Sequence, residues 1–320
     1  MKAAVLYKAG ETPQYDEFTD PIPQAHEQVI HVKAASIKNL DKMRAKGTHY
    51  DQHKNYPVVV GIDGVGILED GTRVYAGSAG GMMGEKALIN KNWYVPLPDG
   101  LDDVTAAAIP NPAISAWLSF QYKGNLKQGD TVLIMGATGI TGKLAVQIAR
   151  HLGAGKIIAT GRNTEVLNSL GADVSISLNQ SDDAIKQALK AEALQNPFDV
   201  VIDYLWGKPA ELVLEVLTGH DLNAAAHLTR FVQVGEMAGS NINLPGAVLR
   251  SSAIELVGSG GGSISKEQIG KIQTEILPEV FRLAAAGKLS VDTLAIPLKD
   301  VAEAWKQADL QRKRVVVTMG

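Results

Sequence analysis

The sequence predicts an α/β fold, in which a doubly wound parallel sheet is joined to a mostly antiparallel β domain. Three observations predict it. Six apolar, β-branched-rich runs alternate with helical patterns between residues 131 and 258. The first 117 residues carry short alternating runs broken by Gly and Pro instead. A glycine cluster follows the first of the six runs, where strand gives way to helix.

Taken in order, KAAVLY, EQVIHVKAAS and TRVYAG have the two-residue alternation of half-buried strands, and WYVPLPDGL forms an irregular edge. From residue 131 the runs are TVLIM (131–135), KIIAT (156–160), VSISL (174–178), DVVID (199–203), RFVQV (230–234) and AIELVG (253–258). Helical patterns extend to about His151, near 164–170, near 182–193 and through PAELVLEVL. Strands this apolar need cover on both faces, which crossover helices supply. After residue 260 come a glycine turn, a long amphipathic helix over about 266–286, and short strands in LSVDTLAIPL and RVVVTMG flanking another helix.

With 320 residues, 45% of them hydrophobic, the chain can fill two domains. Its 31 basic and 34 acidic side chains leave a net charge of −3, so no electrostatic footprint for nucleic acid or an acidic membrane exists. The opening MKAAVLYKAG reaches Lys8 too soon for a secretory apolar region, and no apolar run approaches the ~18 residues of a membrane span. A cytoplasmic protein directed at small molecules is expected. Cysteine is absent, which excludes disulfides, thiolate nucleophiles and cysteine-bound zinc.

The stretch TVLIMGATGITGKLAVQIARHLGAGKIIATGRN (131–163) is built to hold a phosphate. A P-loop needs four residues between its first Gly and its Gly-Lys pair, with Ser or Thr next. Here five separate Gly136 from Gly142-Lys143, and Leu144 follows. The glycine signature of a short-chain dehydrogenase is spaced differently, and the Tyr-x-x-x-Lys at Tyr50 to Lys54 lies upstream of the loop. What fits is A-x-G-x-x-G at Ala137, Gly139 and Gly142, a dinucleotide fingerprint with Gly136 beside it, after a strand and opening a helix. An NAD site places Asp or Glu roughly 20 residues beyond the loop. That count reaches Thr160-Gly161-Arg162-Asn163, with a guanidinium suited to a 2′-phosphate and no carboxylate to accept from a ribose hydroxyl. NADPH is the cofactor expected.

Across its ordered segments the chain resembles the zinc-free quinone oxidoreductase (zeta-crystallin-like) branch of the medium-chain dehydrogenase/reductase superfamily. MKAAV, VVVGIDGVG, GTRVYAG, WYVPLPDGLDDVTAAAIPNPAISAW, LKQGDTVLIMGATGITGKLAVQIARHLGA, LNSLGADVSIS, FDVVIDYLWG and IPLKDVAEAWKQ carry the resemblance. It implies a GroES-like domain from residues 1–117 and 260–320, a Rossmann NADP(H)-binding domain over 118–259, and a nicotinamide in the cleft between them. Zinc-dependent relatives carry Cys-x-x-Asp and Gly-His-Glu-x-x-Gly. Here those positions read Lys38-Asn39-Leu40-Asp41 and Gly61-Ile62-Asp63-Gly64-Val65-Gly66, in which Lys38 and Ile62 cannot ligate zinc as Cys and His would. No metal is expected.

The resemblance implies hydride transfer from NADPH to an acceptor already electrophilic, a quinone or an enone. Lys38, where the branch usually has Asn, stands as an ammonium for the developing oxyanion, its pKa lowered by burial, or else points to solvent or pairs with Asp41 or Asp63. Tyr50, with His49 as its substitute, and Asn111 are the other catalytic candidates. Ser115, Gly136, Ala137, Thr138, Gly139, Ile140, Thr141, Gly142, Gly161, Arg162, Asn163, Val234, Gly235, Ser259 and Gly260 are expected at the cofactor. Arg312, Lys313 and Arg314 read as a charge run, in reach of a cofactor phosphate or, as is more usual, solvated. An NADPH-dependent 2-alkenal reductase and a non-catalytic NADPH sensor or structural protein are the alternatives. Pairing of the sheet edge at 253–258 implies a homodimer.

Overall fold

The computed structural model describes residues 1–49, 52–218, 226–307 and 313–320. Two units divide the chain: Met1–Asn111 with Ile269–Gly320, and Pro112–Gln268.

The first unit begins with strands β1 (Lys2–Leu6), β2 (Gln14–Glu17), β3 (Glu27–Ser36), β4 (Val58–Val59), β5 (Asp63–Ile67), β6 (Arg73–Gly77), β7 (Lys86–Asn90) and β8 (Tyr94–Pro96). Helix α1 (Asn39–Lys46) follows β3, α2 (Asp103–Ala108) follows β8, and α3 (Pro110–Leu118) carries the chain from one unit into the other. The sequence pattern did not show these three short helices, because their apolar residues repeat over too few turns. β5 opens on Asp63 and runs through Gly64 and Gly66, whose missing side chains let β3 pack against it; a Cβ at Gly66 would lie 2.5 Å from His31 O.

The second unit holds β9 (Thr131–Met135), α4 (Ile140–His151), β10 (Lys156–Gly161), α5 (Thr164–Ser169), β11 (Val174–Ser177), α6 (Asp182–Gln195), β12 (Val200–Asp203), α7 (Gly207–Val216), β13 (Thr229–Gln233), α8 (Gly246–Ser251) and β14 (Ile254–Gly258). All five residues of β9 and all four of β12 are buried, as central strands require. Every pairing is parallel, in the order β11-β10-β9-β12-β13-β14. That is the doubly wound Rossmann order, and its switch point lies between β9 and β12. Leu133, Ile158, Phe198, Val201, Val213 and Phe231 centre the core on one face.

The chain returns to the first unit through α9 (Lys266–Lys271), α10 (Leu277–Ala285), β15 (Thr293–Pro297), α11 (Val301–Gln307) and β16 (Arg314–Thr318). The single helix expected over 266–286 is interrupted at Ile272–Ile276 by a π-helical turn. Pro278, at the start of α10, has no N–H to bond back, and the ladder slips so that Leu277 N reaches Ile272 O. β16 joins β15 in parallel and β3 antiparallel, completing a sheet in the order β15-β16-β3-β5-β6-β8 with β7 also on β3. Apart from that one parallel pair this sheet is antiparallel, and Leu6, Ile30, Val74, Met83, Trp305 and Val315 fill its core. Among the described residues no helix is long and apolar enough to cross a membrane.

Candidate active site

The glycine loop sits at the carboxyl end of β9, on the switch point. Gly136 N and Ala137 N both donate to Thr160 O, at 3.1 and 2.8 Å, which ties the loop to the end of β10. A Cβ at Gly142 would stand 2.3 Å from Gly136 O and 2.6 Å from Ala137 Cα, so only glycine lets α4 start this close to the strand it follows. At Gly161 a Cβ would meet Thr138 Cγ2 at 2.5 Å, so Thr138 closes over the end of β10 only because that strand finishes in glycine.

Gly139 has the opposite surroundings. It is exposed, it is the N-cap of α4 with no side chain capping the first turn, and a Cβ there would find only Gly136 O, at 3.5 Å. The amides of Ile140, Thr141 and Gly142 open a twelve-residue helix behind it. An uncapped helix start beside bare backbone is a cradle for a diphosphate, and the residues present fit a dinucleotide there.

At the end of β10, Gly161 is buried and Arg162 exposed. Asn179 Nδ2 donates to Arg162 O at 2.6 Å, and Asn163 caps α5 by accepting from Val166 N at 3.1 Å. The expected residues from Gly136 to Gly142 and from Gly161 to Asn163 are thus brought together around one strand end. Val234 N and Gly235 N both donate to Asp203 O, at 2.8 and 3.1 Å, which places them against β12. Ser259 and Gly260 follow β14.

Two of the expected residues meet a third serine here. Ser259 turns its hydroxyl to Ser119, with 2.9 Å between the oxygens, and Ser115 engages Ser119 Oγ at 2.7 Å through its carbonyl. Sequence reasoning passed over Ser119 and also over Asp203, which ends β12 fully buried. Asp203 Oδ1 accepts from Leu205 N at 2.8 Å and from Trp206 N at 3.0 Å, holding a turn in which Trp206 has φ 55°. Burial pushes its carboxyl up to about 6 against the opposing pull of those two amides. An Asp closing an apolar strand run was the one signal available for it.

In the first unit, Lys38 precedes α1 and is 2% exposed. Its ammonium donates to Ser36 O at 3.0 Å and to Asp63 Oδ1 at 3.0 Å, and lies 3.3 Å from Asp41 Oδ2, so its three N–H bonds are all taken. Asp41 also accepts from Lys38 N at 2.9 Å and Ile62 N at 3.0 Å, binding the Gly61–Asp63 segment to α1. The expected lowered pKa is overturned. Burial alone would depress the ammonium, but Asp41 and Asp63 outweigh it and hold Lys38 above its ordinary value. Asp63 is raised by burial despite Lys38 beside it, and Tyr75, hydrogen bonded to Asp63, is pushed well up by the same burial.

Arg314 corrects the solvated charge run: it is 8% exposed, donates to Ile37 O at 3.3 Å, and burial lowers its pKa. Its neighbour Lys313 is exposed, as expected. Asn111 is half-buried in α3. Tyr50 and Arg312 lie outside the described residues. Among the described residues no group of three or more His, Asp or Glu side chains is placed to hold a metal ion.

Residues 141–276 match the family described as zinc-binding dehydrogenase. That match leaves out positions 38 and 62, where the resemblance puts the catalytic zinc ligands of relatives. The chain is 29% identical to a probable NADPH-dependent quinone reductase of Emericella nidulans, with 95% of this chain and 96% of the relative aligned. It is 30% identical to a quinone oxidoreductase of Sus scrofa over 73% of this chain and 72% of the other. Among solved structures, the quinone oxidoreductase from Thermus thermophilus, described also in complex with NADPH, superposes with a TM-score of 0.79 at 25% identity over the full length of both chains. The chain belongs to the medium-chain dehydrogenase/reductase superfamily, in its quinone oxidoreductase branch.

Proposed function

We infer that the protein is an NADPH-dependent oxidoreductase that reduces a quinone-type acceptor without zinc. One observation carries the reading: an uncapped helix start with bare glycine backbone lies at the switch point, and exposed Arg162 follows the end of the adjoining strand with no carboxylate in its place. The relatives' descriptions, NADPH-dependent quinone reductase and quinone oxidoreductase, support cofactor and acceptor class alike.

NADPH bound here would supply hydride. The chain's own groups do the rest. The Ile140, Thr141 and Gly142 amides would hold its diphosphate, with room left by Gly139. Arg162 and Asn163 would read the 2′-phosphate of the adenosine half. Val234, Gly235, Ser259 and Gly260 follow the ends of β13 and β14 and would hold the nicotinamide half. Asp203 keeps the turn after β12 in register.

Zinc independence follows from chemistry. The chain has no cysteine, Ile62 offers no lone pair, and at Lys38 an ammonium takes the position of a metal-binding thiolate. Without a Lewis acid to polarise it, the acceptor must be electrophilic by itself, which quinones are. Lys38 serves as a fixed internal charge that holds the Gly61–Asp63 segment, and Tyr50 and Asn111 remain the candidates for contact with the acceptor. A homodimer formed by pairing the open edge of β14, and a cytoplasmic location, complete the proposal.

The test is NADPH oxidation by chelator-treated protein with ortho-quinones and, in parallel, straight-chain 2-enals, with NADH alongside. Faster turnover of quinones with NADPH is expected. Faster turnover of enals would move the assignment to double-bond reduction, and saturable NADPH binding without turnover of either would replace catalysis with sensing.

A further inference from the structure

The segment joining α3 to β9 and the glycine turn after β14 are 140 residues apart in sequence, and two bonds fasten them together within the second unit. After α3 the chain makes one π-helical turn, Ser119–Lys123, closed by Gly124 N donating to Ser119 O at 2.7 Å. A Cβ at Gly124 would lie 2.7 Å from Val200 Cγ1, so this glycine seats the turn against β12. The wider π turn directs Ser119 and Lys123 to the same partner. Ser119, with no exposed surface, has Oγ 2.7 Å from Ser115 O and 2.9 Å from Ser259 Oγ. Its hydroxyl has one proton, which goes to the carbonyl, and Ser259 donates to Ser119. Lys123 Nζ donates to Ser263 O at 2.6 Å.

These bonds grip the sequence Gly258-Ser259-Gly260-Gly261-Gly262-Ser263 at two points and leave its middle bare. Ser259 N is also held by Gln233 O at 2.8 Å, and Ser263 closes the turn by accepting from Gly260 N at 3.0 Å. A Cβ at Gly258, Gly260 or Gly262 would meet nothing within 4 Å, and the turn is exposed. Left to itself a run of four glycines in six residues is among the most mobile a chain can make. Here it is clamped at both ends, at the carboxyl edge of a strand, with open space above the backbone.

We propose that Ser119 and Lys123 are positioning residues for the nicotinamide half of the cofactor, acting by fixing the 258–263 turn on which the ring's carboxamide rests. The inference builds on the NADPH reading. A dinucleotide whose diphosphate lies at the β9–β12 switch point and whose adenosine half lies over β10 must carry its other half across the ends of β12, β13 and β14. A carboxamide, with one acceptor oxygen and two donor hydrogens, recognises backbone carbonyls and amides, which bare glycine presents without obstruction. Fixing them beforehand removes an ordering cost from binding.

The test compares two ligands by calorimetric titration of the whole chain: NADPH, and adenosine 2′,5′-bisphosphate, which lacks the nicotinamide half. Ser119→Ala and Lys123→Met are each expected to weaken NADPH three- to tenfold and together by tenfold or more. Neither should change binding of the bisphosphate beyond twofold. Amide hydrogen exchange in 258–263 should quicken in the same variants before any cofactor is added. Lys123→Met, a half-exposed site, guards against a misfolded Ser119→Ala. Unchanged NADPH affinity in both variants would overturn the proposal, and so would equal losses for the two ligands, which mark general loosening. If the unaltered chain bound the bisphosphate and not NADPH, the positioning role would fall while the adenosine site stood. If it bound neither, the NADPH reading itself would fall.

Discussion

Lys38 Nζ lies 3.0 Å from Asp63 Oδ1, with the lysine side chain 2% exposed and the aspartate 14%. The pair is held by the fold on both sides, since Asp41 touches the same ammonium and Tyr75 the same carboxylate. Removing one partner of a buried pair leaves an uncompensated charge, at a cost of about 3–5 kcal/mol. Lys38→Met is expected to lose that much in urea denaturation at pH 7. Because it strands Asp41 and Asp63, the loss should shrink as acid protonates them. In the unaltered chain the raised Lys38 contributes fully below the ordinary lysine value and its contribution disappears as pH climbs past the raised one. A Lys38→Met variant as stable as the parent at pH 7 would remove the structural role.

Arg162→Ala should weaken NADPH by tenfold to a hundredfold and NADH by less than threefold, the difference being about 1.5–3 kcal/mol for a charged hydrogen bond. Fluorescence titration of both nucleotides measures it. Equal losses would take the 2′-phosphate away from this side chain.

Two glycines of one loop should respond in opposite ways to the same change. Gly139→Ala makes only an ordinary contact with Gly136 O, at 3.5 Å, and should fold with unchanged thermal stability while losing NADPH affinity, since the methyl enters the diphosphate cradle. Gly142→Ala puts a methyl 2.3 Å from Gly136 O and should lower Tm along with binding. Thermal melts with and without NADPH separate the two, and a stable Gly142→Ala would contradict the close approach.

Asp203→Asn tests the buried carboxyl. Its folded pKa of about 6, raised from 3.8, means that ionisation penalises the folded state above pH 6, by at most about 3 kcal/mol, and that the penalty is gone below the unfolded value. Asn retains the oxygen that accepts from Leu205 N and Trp206 N. The variant should therefore be the more stable protein at pH 8 and no different at pH 4, as read by denaturant titration. Greater stability of the parent at pH 8 would show that the charge itself is needed at the turn.

Leu256, 37% exposed on the edge strand β14, probes the proposed dimer. Leu256→Lys should convert a two-chain species into a single chain in light scattering. A single chain already present in the unaltered protein would end the proposal.

The central parallel strands were legible because burial on both faces writes itself as unbroken apolar runs, and β9 and β12 are the clearest. Gly139 and Gly142 were legible as a spacing, although their different surroundings were not: a Cβ would stand 3.5 Å from Gly136 O at the first and 2.3 Å from it at the second, and no one-dimensional pattern records that. At Lys38 the residues permitted both a free ammonium and a paired one, and only the geometry of α1 against Gly61–Asp63 decides. The π turns at Ser119 and Ile272 were invisible, since a single i→i+5 bond leaves no repeat to detect. Ser119 and Ser259 meet across 140 residues, which spacing within a motif cannot reveal.

The side-chain ammonium of Lys38 gives the first unit a central cation that is covalently attached to its own chain. A segment organised around a captured ion folds only as far as the free ion's concentration allows, and a chelator can undo it. Here organisation is unimolecular: once α1 has formed beside β5, the charge its carboxylates require is already attached. This part of the protein is therefore expected to mature at the same rate in ion-starved and ion-rich surroundings, and to be indifferent to which divalent ions compete for sites elsewhere in the cell.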